Sequence, residues 1–582
     1  MNRLTKIFTD FKNQKIVLFS TFFYSVYSLS FPSIFPTGTT IFDPEKSWSG
    51  FTIYDAPFPH GATLIDMNGN IIRQWKELTN VPSPFRMLPG GYVMGGDEPR
   101  RPHQEAIALI QLDWDGNEVW RYDRLEQVVT EESEKDDGGT LGGETVWSSR
   151  IHHDWQREGN PIGYYAPDME PRISGGKTLV LAHKNLIVPD ISPKRLEDDY
   201  IYELNWDGEI VWEWLASDHV DELGFSEDAR NAIHRSVEFN DDRESADWLH
   251  INSAVYLGPN QWFDNGDRRF HPDNIMISSR TANIIAIISR NGDIVWRLGP
   301  DYQRTKEQAE IGQIIGQHNP HLIPKGLPGE GNLLVFDNGG QGGYGFANPA
   351  RPDGTNSMTR DSSRVLEINP ITLEVLWEYT LGGTERYRFY SAYVSNAQRL
   401  PNGNTLVNEG MDGRIFELTP EEEIVWEYVN PFLSDDDTPS RRIYRAYRVP
   451  YDWIPQVTQP NENAVIDTLC GLIFKSMTDA WAPYCDVNIT QMSRDINPLF
   501  ANIAADEESV VVNRFELRLP DDSVSAYIDA IYTYQSLNLQ RDLLRSRMQT
   551  HDADQNWADR LSRSLSDVDF QVFVSGGVLD IS

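Results

Sequence analysis

Apolar and polar positions alternate with a period of two through most of this chain, and Gly, Asn, Asp or Pro interrupt the alternation at short intervals. That is the pattern of half-buried antiparallel strands joined by tight turns. One version recurs six times, as "TLIDMNGNIIRQW", "ALIQLDWDGNEVW", "YIYELNWDGEIVWEW", "IIAIISRNGDIVWRLG", "RVLEINPITLEVLWEY" and "RIFELTPEEEIVWEY". Each is a strand, a turn and a second strand ending in Trp: Trp75, Trp120, Trp212, Trp296, Trp377 and Trp426. Asn-Gly and Asp-Gly between alternating strands are strong hairpin signals, and a hairpin cannot bury both faces alone, so the units must stack on one another.

Ahead of most hairpins stands another strand ("LPGGYVMGG", "SGGKTLVLAH", "DNIMISSR", "GNLLVFDNG", "PNGNTLVNEG"), and ahead of several of these one more. Six units of four antiparallel strands predict an all-β fold, a six-bladed β-propeller over residues 36–456. The first strand of each unit is then the innermost, beside the central channel. "IHHDWQ", "DWLHINS", "GQHNPHLIP" and "YVSNAQRLP" are such strands, and their register places His153, His250, His318 and Ser395 or Asn396 at corresponding positions around one axis. Side chains two apart on a strand share a face, which sets Asn252 beside His250. The same alternation favours His153 over His152 and turns His321 away from His318. Second strands end near the same channel, so Arg280 of "ISSRTAN" and Asp337 and Asn338 of "VFDNGG" are candidates for its wall, although the Gly-rich context of the last two equally suits a turn.

Converging histidines can serve as nucleophile, acid, base or metal ligands, and three of them could hold zinc. Arg280 at the same mouth tilts the chemistry elsewhere: a guanidinium repels a cation and matches the planar fork of an oxyanion. No Walker loop or GxGxxG entering a helix suggests a nucleotide, and neither a cofactor nor a metal is expected. Two other readings stay open. One is a non-catalytic propeller that binds an anionic ligand or a protein partner, since the fold favours neither binding nor catalysis. The other is a metal-dependent sulfatase or phosphatase.

Composition narrows the partners. The 582 residues include 87 Asp or Glu against 51 Lys or Arg, a formal charge of -36, which argues against nucleic acid or an anionic membrane surface. The N-terminus differs: a basic leader with Arg3, Lys6, Lys12 and Lys15 precedes the apolar run "IVLFSTFFYSVYSLSFPSIF". Residues 1–35 therefore predict an export signal or an uncleaved membrane anchor, with the remainder periplasmic or secreted. In that compartment Cys470 and Cys485 could pair. Residues 457–582 predict a small α+β extension of unknown role, with a strand "NRFELRL", a helix over "PDDSVSAYIDAIYTYQSLNLQRDLLRSRM" carrying Tyr527, Ile528, Ile531 and Leu537 on one stripe, a short helix "NWADRLSRSLSD" and a strand "FQVFVSGG". Long loops such as "EESEKDDGGTLGGETVW" and "NPARPDGTNSMTRDSS" are expected to shape the channel entrance.

The Trp-ended blades, "DWLHINS" with "ISSRTANIIAI", "GQHNPHLIP" with "LLVFDNGG", "NAQRLPNGNTLVNEG" and the closing "YRAYRVPYDWIP" together resemble the bacterial arylsulfate sulfotransferase family over most of residues 36–456. The resemblance implies a propeller that moves a sulfuryl group from an aryl sulfate donor to a phenolic acceptor through a sulfated histidine, without a nucleotide sulfate donor. Carried over by motif, His318 would be the nucleophile. His250, Asn252, Arg280 and His153 would bind sulfuryl oxygens or move the phenol proton, with Asn338, Ser395 and Asn396 completing the substrate wall. The family's N-terminal dimerisation sandwich has no counterpart ahead of the first blade, which leaves the oligomeric state open.

Overall fold

A computed structural model describes residues 37–458, except 80–82, 98–103, 130–144, 236–244, 346, 350 and 436–438, together with strands between 509 and 581. The chain divides into two compact units, the larger being Thr37–Leu472. The N-terminal leader, Cys470 and Cys485 lie outside the described residues.

The larger unit is a six-bladed β-propeller built from six antiparallel sheets. The first strands of the second to sixth sheets are Arg86–Leu88, Ile151–Arg157, Ile251–Tyr256, His318–Leu322 and Asn396–Arg399. The first sheet takes its edge strand from the far end of the unit: Ala446–Val449 pairs with Phe51–Ala56. A second clasp closes the ring, because Gly38–Phe42 adds a fifth strand to the last blade beside Ile424–Val429. Both ends of the ring are thus tied through backbone hydrogen bonds, which leaves no blade to fray at the closure.

The recurring tryptophans explain how the blades are joined. Five of the six indoles donate to a carbonyl in the hairpin turn of the next blade: Trp120 to Trp206 (2.9 Å), Trp212 to Arg290 (3.0 Å), Trp296 to Pro370 (2.9 Å), Trp377 to Pro420 (3.2 Å) and Trp426 to Met67 (2.7 Å). Trp75 meets the second blade edge-on through Trp114, with ring centroids 5.7 Å apart. Five of these contacts satisfy the indole's one donor while covering much of its ring, and the Trp75 contact packs ring on ring, so the sequence repeat is an interface repeat. Nearer the axis, amides do the same work. Asn252 donates to Gln317 O (2.8 Å), while Asn396 and Gln398 bond the backbone of Ala446 and Arg448 on the next inner strand.

Two hairpins stand outside the blades, Glu126–Val129 with Thr145–Ser148 and Gln341–Tyr344 with Thr355–Thr359. The second lies against the strand end that carries Arg280: Gly343 N–H donates to Thr281 O at 2.6 Å, and a Cβ on Gly342 would stand 3.0 Å from Arg280 O. Part of the chain expected to shape the entrance is therefore beside the site.

In the second unit the described strands Ser509–Arg518, Val524–Thr533, Arg545–Thr550, Phe570–Val574 and Gly577–Ile581 form one five-stranded sheet. The predicted helix over 520–548 is corrected here, because Tyr527, Ile528 and Ile531 lie on the strand Val524–Thr533, paired with Glu516, Phe515 and Val512. "VSAYIDAIYT" is rich in β-branched and aromatic residues, and that preference outweighed the 3.6-residue apolar spacing. Leu537 and the short helix expected over "NWADRLSRSLSD" lie outside the described residues. No helix among the described residues is long and apolar enough to cross a membrane.

Candidate functional site

The inner strands are irregular where the chemistry-bearing residues sit. Arg150, His153, His250, Asn319, Val394 and Ser395 all have positive φ, and the ladders shift register between Ile151 and Trp155, Ile251 and Ser253, and His318 and His321. An extra residue on one strand bends it and re-aims its side chains. Positive φ is costly for a β-branched residue such as Val394, and strain of this kind collects at functional sites.

These bulges correct the simple alternation in two places. The run from Asp247 is not one strand: Ser245–Asp247 pairs in parallel with Arg195–Leu204, the chain turns at Trp248–His250, and the inner strand begins at Ile251. His250 and Asn252 therefore do not stand side by side. His250 Nδ1 meets the Asp247 carboxylate, and its ring lies edge-on to His153 at 4.7 Å, whereas Asn252 reaches sideways to Gln317 O. In the other place the bulge lets His318 pair with Phe336 and His321 with Leu334, two residues apart on the partner strand. The odd spacing thus does not send the two histidines to opposite faces. His321 stays apart for another reason: its Nε2 is 2.9 Å from the Tyr164 hydroxyl and its Nδ1 2.9 Å from Asn319 O.

The hydrogen bonds around His318 fix its tautomer. Asn338 Nδ2 donates to Ser391 O (2.6 Å) and Val394 O (2.9 Å), so Oδ1 must be the atom turned to His318 Nδ1 at 2.7 Å. A carboxamide oxygen only accepts, hence Nδ1 carries the proton, and Gly316 O at 3.1 Å accepts from the same nitrogen. The lone pair is left on Nε2, where it accepts from the Val394 N–H at 3.2 Å. Burial pushes the His318 pKa well below the usual imidazole value; the Asn338 contact opposes this, and Arg280, Arg445 and His250 push it further down. His318 is neutral at pH 7 and holds an unprotonated nitrogen toward the cluster.

His153 is buried, its pKa also held well down by burial and by His250, His152, His183 and His318. Its Nδ1 is 2.8 Å from His152 Nδ1, and its ring lies 6.0 Å from Tyr444. His152 points the other way, stacked on His183 at 3.6 Å. Arg280 directly follows the strand Ile275–Ser279, half-buried, with its backbone N–H on His250 O at 3.1 Å. The structure thus brings His153, His250, Arg280 and His318 together. Of the expected substrate wall, Asn338 spends its amide on His318 and the 391–394 loop, Asn396 has both amide groups on Ala446, and Ser395 Oγ donates to Ser391 Oγ (2.9 Å) and accepts from Gly410 N–H (2.9 Å). Asp337 is held by Arg360 and Arg364 at 2.9 and 2.7 Å. These four side chains hold the protein together at the site.

Beneath the cluster lies a buried ionic floor that sequence reasoning did not find. Asp154 accepts from Arg86 (2.8 Å), lies 3.1 Å from Arg445 and also takes Ser253 Oγ and Ala254 N–H at 3.0 and 3.2 Å. Arg445 donates to Asn252 O at 2.7 Å, and the Tyr444 hydroxyl donates toward His153 O (3.0 Å) and Asn252 O (3.2 Å). Two guanidinium groups share one carboxylate, so the floor carries a surplus positive charge under His153 and His318, which burial keeps neutral. That is an environment for an anion. Tyr444 and Arg445 come from "YRAYRVP", a stretch quoted only as the closing strand, and no local pattern marks Asp154 or Arg86.

His321 gives this core a pH dependence that can be measured. Burial, with Arg445 and Arg399, pushes its pKa down to about 4 against the Asn319 contact. The unfolded chain takes up this proton near pH 6.5, the folded chain only near 4. His321 therefore contributes its stabilisation fully above pH 6.5 and loses it as pH falls toward 4, a change on the order of 3 kcal/mol. Urea midpoints measured from pH 7 to pH 4 should fall less steeply in His321→Gln than in the wild-type protein; parallel curves would contradict this.

Fold and site together define a six-bladed propeller with an anion-suited His/Arg centre on its axis. The arylsulfotransferase (ASST) family model matches residues 171–430, a stretch that contains His250, Arg280, His318 and Asn338. The flagellar motor switch protein FliM of Pseudomonas aeruginosa is 26% identical over 111 residues, 19% of this chain and 34% of that protein, so the chain spans about a third of this curated relative. Among solved structures, a protein of unknown function from Bacteroides caccae is 12% identical, with 69% of this chain and 99% of that one covered and a TM-score of 0.33. Virginiamycin B lyase from Staphylococcus aureus is 12% identical with 71% and 95% covered and a TM-score of 0.29. Likeness at that level carries no argument about this chain.

Proposed function

We propose that this protein transfers a sulfuryl group from an aryl sulfate to a phenol by way of His318. The observation that carries the reading is the amide-fixed tautomer of His318, which presents an unprotonated Nε2 beside Arg280 and above a cationic floor. In the first half-reaction the Nε2 lone pair attacks sulfur, the N–S bond forms as the S–O bond to the aryl group breaks, and the phenolate leaves with a proton from a protonated His250, which the Asp247 carboxylate pairs. The imidazole ring becomes positively charged, and Asn338 Oδ1 accepting from Nδ1–H stabilises that charge. Arg280 donates to sulfuryl oxygens as charge develops on them, and the Val394 N–H, which holds the Nε2 lone pair before substrate arrives, passes to a sulfuryl oxygen as that lone pair turns to sulfur. In the second half-reaction an incoming phenol returns its proton to His250, its oxygen attacks sulfur, and the N–S bond breaks to restore the lone pair. The basic leader and apolar run support placing this chemistry in the periplasm or outside the cell.

The test is to incubate the purified protein with a chromogenic aryl sulfate, with and without a phenol acceptor. Release of chromophore should depend on the acceptor. Lack of acceptor-dependent release across a panel of donors would overturn the reading and favour an anion-binding propeller. Arg280→Ala should lower kcat/KM roughly a hundredfold, as when one preorganised oxyanion donor is removed, and Arg280→Lys should restore only part of it because an ammonium lacks the planar fork. Wild-type rates in Arg280→Ala would remove the arginine from the mechanism.

A further inference from the structure

Behind the His153–His250 pair lies a second cluster that the sulfuryl chemistry does not use. Sheet register assembles it in the third blade: His183 pairs directly with Asp199, and Glu197 pairs with Asp247 on the parallel strand Ser245–Asp247. The inner strand adds His152, whose ring stacks on His183 with centroids 3.6 Å apart and 15° between planes. One donor atom from each of His152, His183 and Asp199 lies within 4.8 Å of the others, and the same holds for His183, Glu197 and Asp247.

The polar atoms at the centre of this cluster have nothing to bond. His152 Nε2, Asp199 Oδ1 and Asp247 Oδ1 are buried and make no hydrogen bond, and the first two are 3.5 Å apart. His152 is 1% exposed and Asp199 0%. Leaving such atoms unsatisfied costs roughly 1–3 kcal/mol each, and more for a charged group. The outward-facing atoms of the same side chains are well held. His183 Nδ1 is 3.0 Å from Glu105 Oε1, His152 Nδ1 faces His153, Asp199 Oδ2 accepts from Ile251 N–H at 3.0 Å, and Asp247 Oδ2 meets His250. A carboxylate on one imidazole nitrogen with the other nitrogen turned inward is the arrangement that orients a metal-binding histidine. Charge points the same way. Asp199 is buried and Asp247 half-buried, and the neighbouring Arg150 is paired to Glu105 at 2.8 Å.

We propose that His152, His183 and Asp199, with Asp247 as the fourth donor, form a site for one divalent transition-metal ion of the zinc class. Two imidazoles with carboxylates suit zinc better than the oxygen-only shells of calcium or magnesium. The donor atoms lie within 4.8 Å of one another, against roughly 3.3 Å in a tetrahedral shell with bonds of about 2 Å, and the stacked His152 and His183 rings must turn so that their in-plane lone pairs converge; closing the site therefore takes a rotation of one imidazole. The ion would stand behind the reacting centre and orient it. With Nε2 on the metal, His152 donates Nδ1–H to His153 Nδ1, which leaves the His153 proton on Nε2, while Asp247 connects the metal to His250. This role is positional, and the metal claim stands whether or not the protein moves sulfuryl groups.

The test uses the full chain, purified without a metal-affinity step, and reads metal content and zinc binding in the absence of substrate. Elemental analysis should find about one zinc-class ion per chain, and chelator-stripped protein should take up about one equivalent of Zn2+ with a rise in melting temperature. Asp199→Asn, which keeps shape and volume, should lower zinc affinity at least about tenfold, as should His183→Gln, whereas His321→Gln should retain it. If His183→Gln does not fold, Asp199→Asn and His152→Asn carry the decision. Less than about 0.1 equivalent of metal both as isolated and after zinc incubation, with an unchanged melting temperature, would overturn the proposal and leave protons shared among the same groups. Full zinc retention by folded Asp199→Asn and His152→Asn would assign any bound zinc to another place and equally overturn it.

Discussion

Protein exposed briefly to an aryl sulfate without an acceptor is expected to gain one sulfuryl group, carried on the peptide that contains His318. Double displacement requires the first phenol to depart before the second is sulfated, so withholding the acceptor must make the covalent form accumulate. The amide geometry specifies the atom: Asn338 keeps the proton on Nδ1, and the adduct forms on Nε2. An N–S bond on imidazole is acid-labile, so digestion and mass spectrometry should be kept near neutral pH. His318→Ala should abolish the adduct and reduce turnover roughly 10^4-fold or more, as loss of a nucleophile does elsewhere. His321→Gln should retain both, because its ring is committed to Tyr164 and Asn319. Since burial, Arg280 and Arg445 hold the His318 pKa well down, the acid limb of kcat/KM attributable to it should lie well below pH 6.5, the ordinary imidazole value. Finding the sulfuryl group on His250, His153 or a tyrosine would overturn the assignment of His318.

The propeller was legible because its signal is repeated. Each Trp-ended hairpin says little alone, but six of them with turn residues at similar spacing leave few architectures, and the Trp indole bonds show why the residue recurs. Register across blades also pointed to His153, His250 and His318, since inner strands start at equivalent places in every blade. What period-two reasoning could not supply was local geometry. The bulges at Asn252 and between His318 and His321 break the alternation that placed Asn252 beside His250 and turned His321 away. Nothing in "HINS" or "HNPH" encodes a bulge, because it depends on how the neighbouring blade and the Asp247 and Asp199 carboxylates hold the backbone. Asn338, Asn396 and Ser395 were expected on the substrate wall, but an amide near a channel can face a ligand or bond the next strand, and their partners are protein groups. The ionic floor was illegible for a plainer reason: Arg86, Asp154 and Arg445 come from three blades separated by as much as 359 residues of chain.

That floor gives the second large effect. Asp154 is fully buried and is shared by two fully buried arginines, while its remaining hydrogen bonds go to Trp155 N–H, Ser253 Oγ and Ala254 N–H. Arg86 also lies over the Trp155 and Tyr447 rings at 4.9 and 5.4 Å, so neither guanidinium is free to turn to water when the carboxylate is lost. Breaking a buried pair by removing one partner leaves an uncompensated charge and costs about 3–5 kcal/mol, and here two charges are stranded at once. Asp154→Ala should therefore fail to fold or lose at least that much. Asp154→Asn preserves volume and some hydrogen bonds and isolates the loss of charge; it should still shift the urea midpoint down by an amount that corresponds to about 3 kcal/mol or more. Replacing both arginines and Asp154 together by apolar residues of similar size should cost less than Asp154→Ala, because the penalty comes from the stranded charges and much less from the lost pair. A change within about 0.5 kcal/mol for Asp154→Asn, the range ordinary for surface sites, would show that the floor is hydrated and that its charges are not what holds the inner strands of the first four blades together.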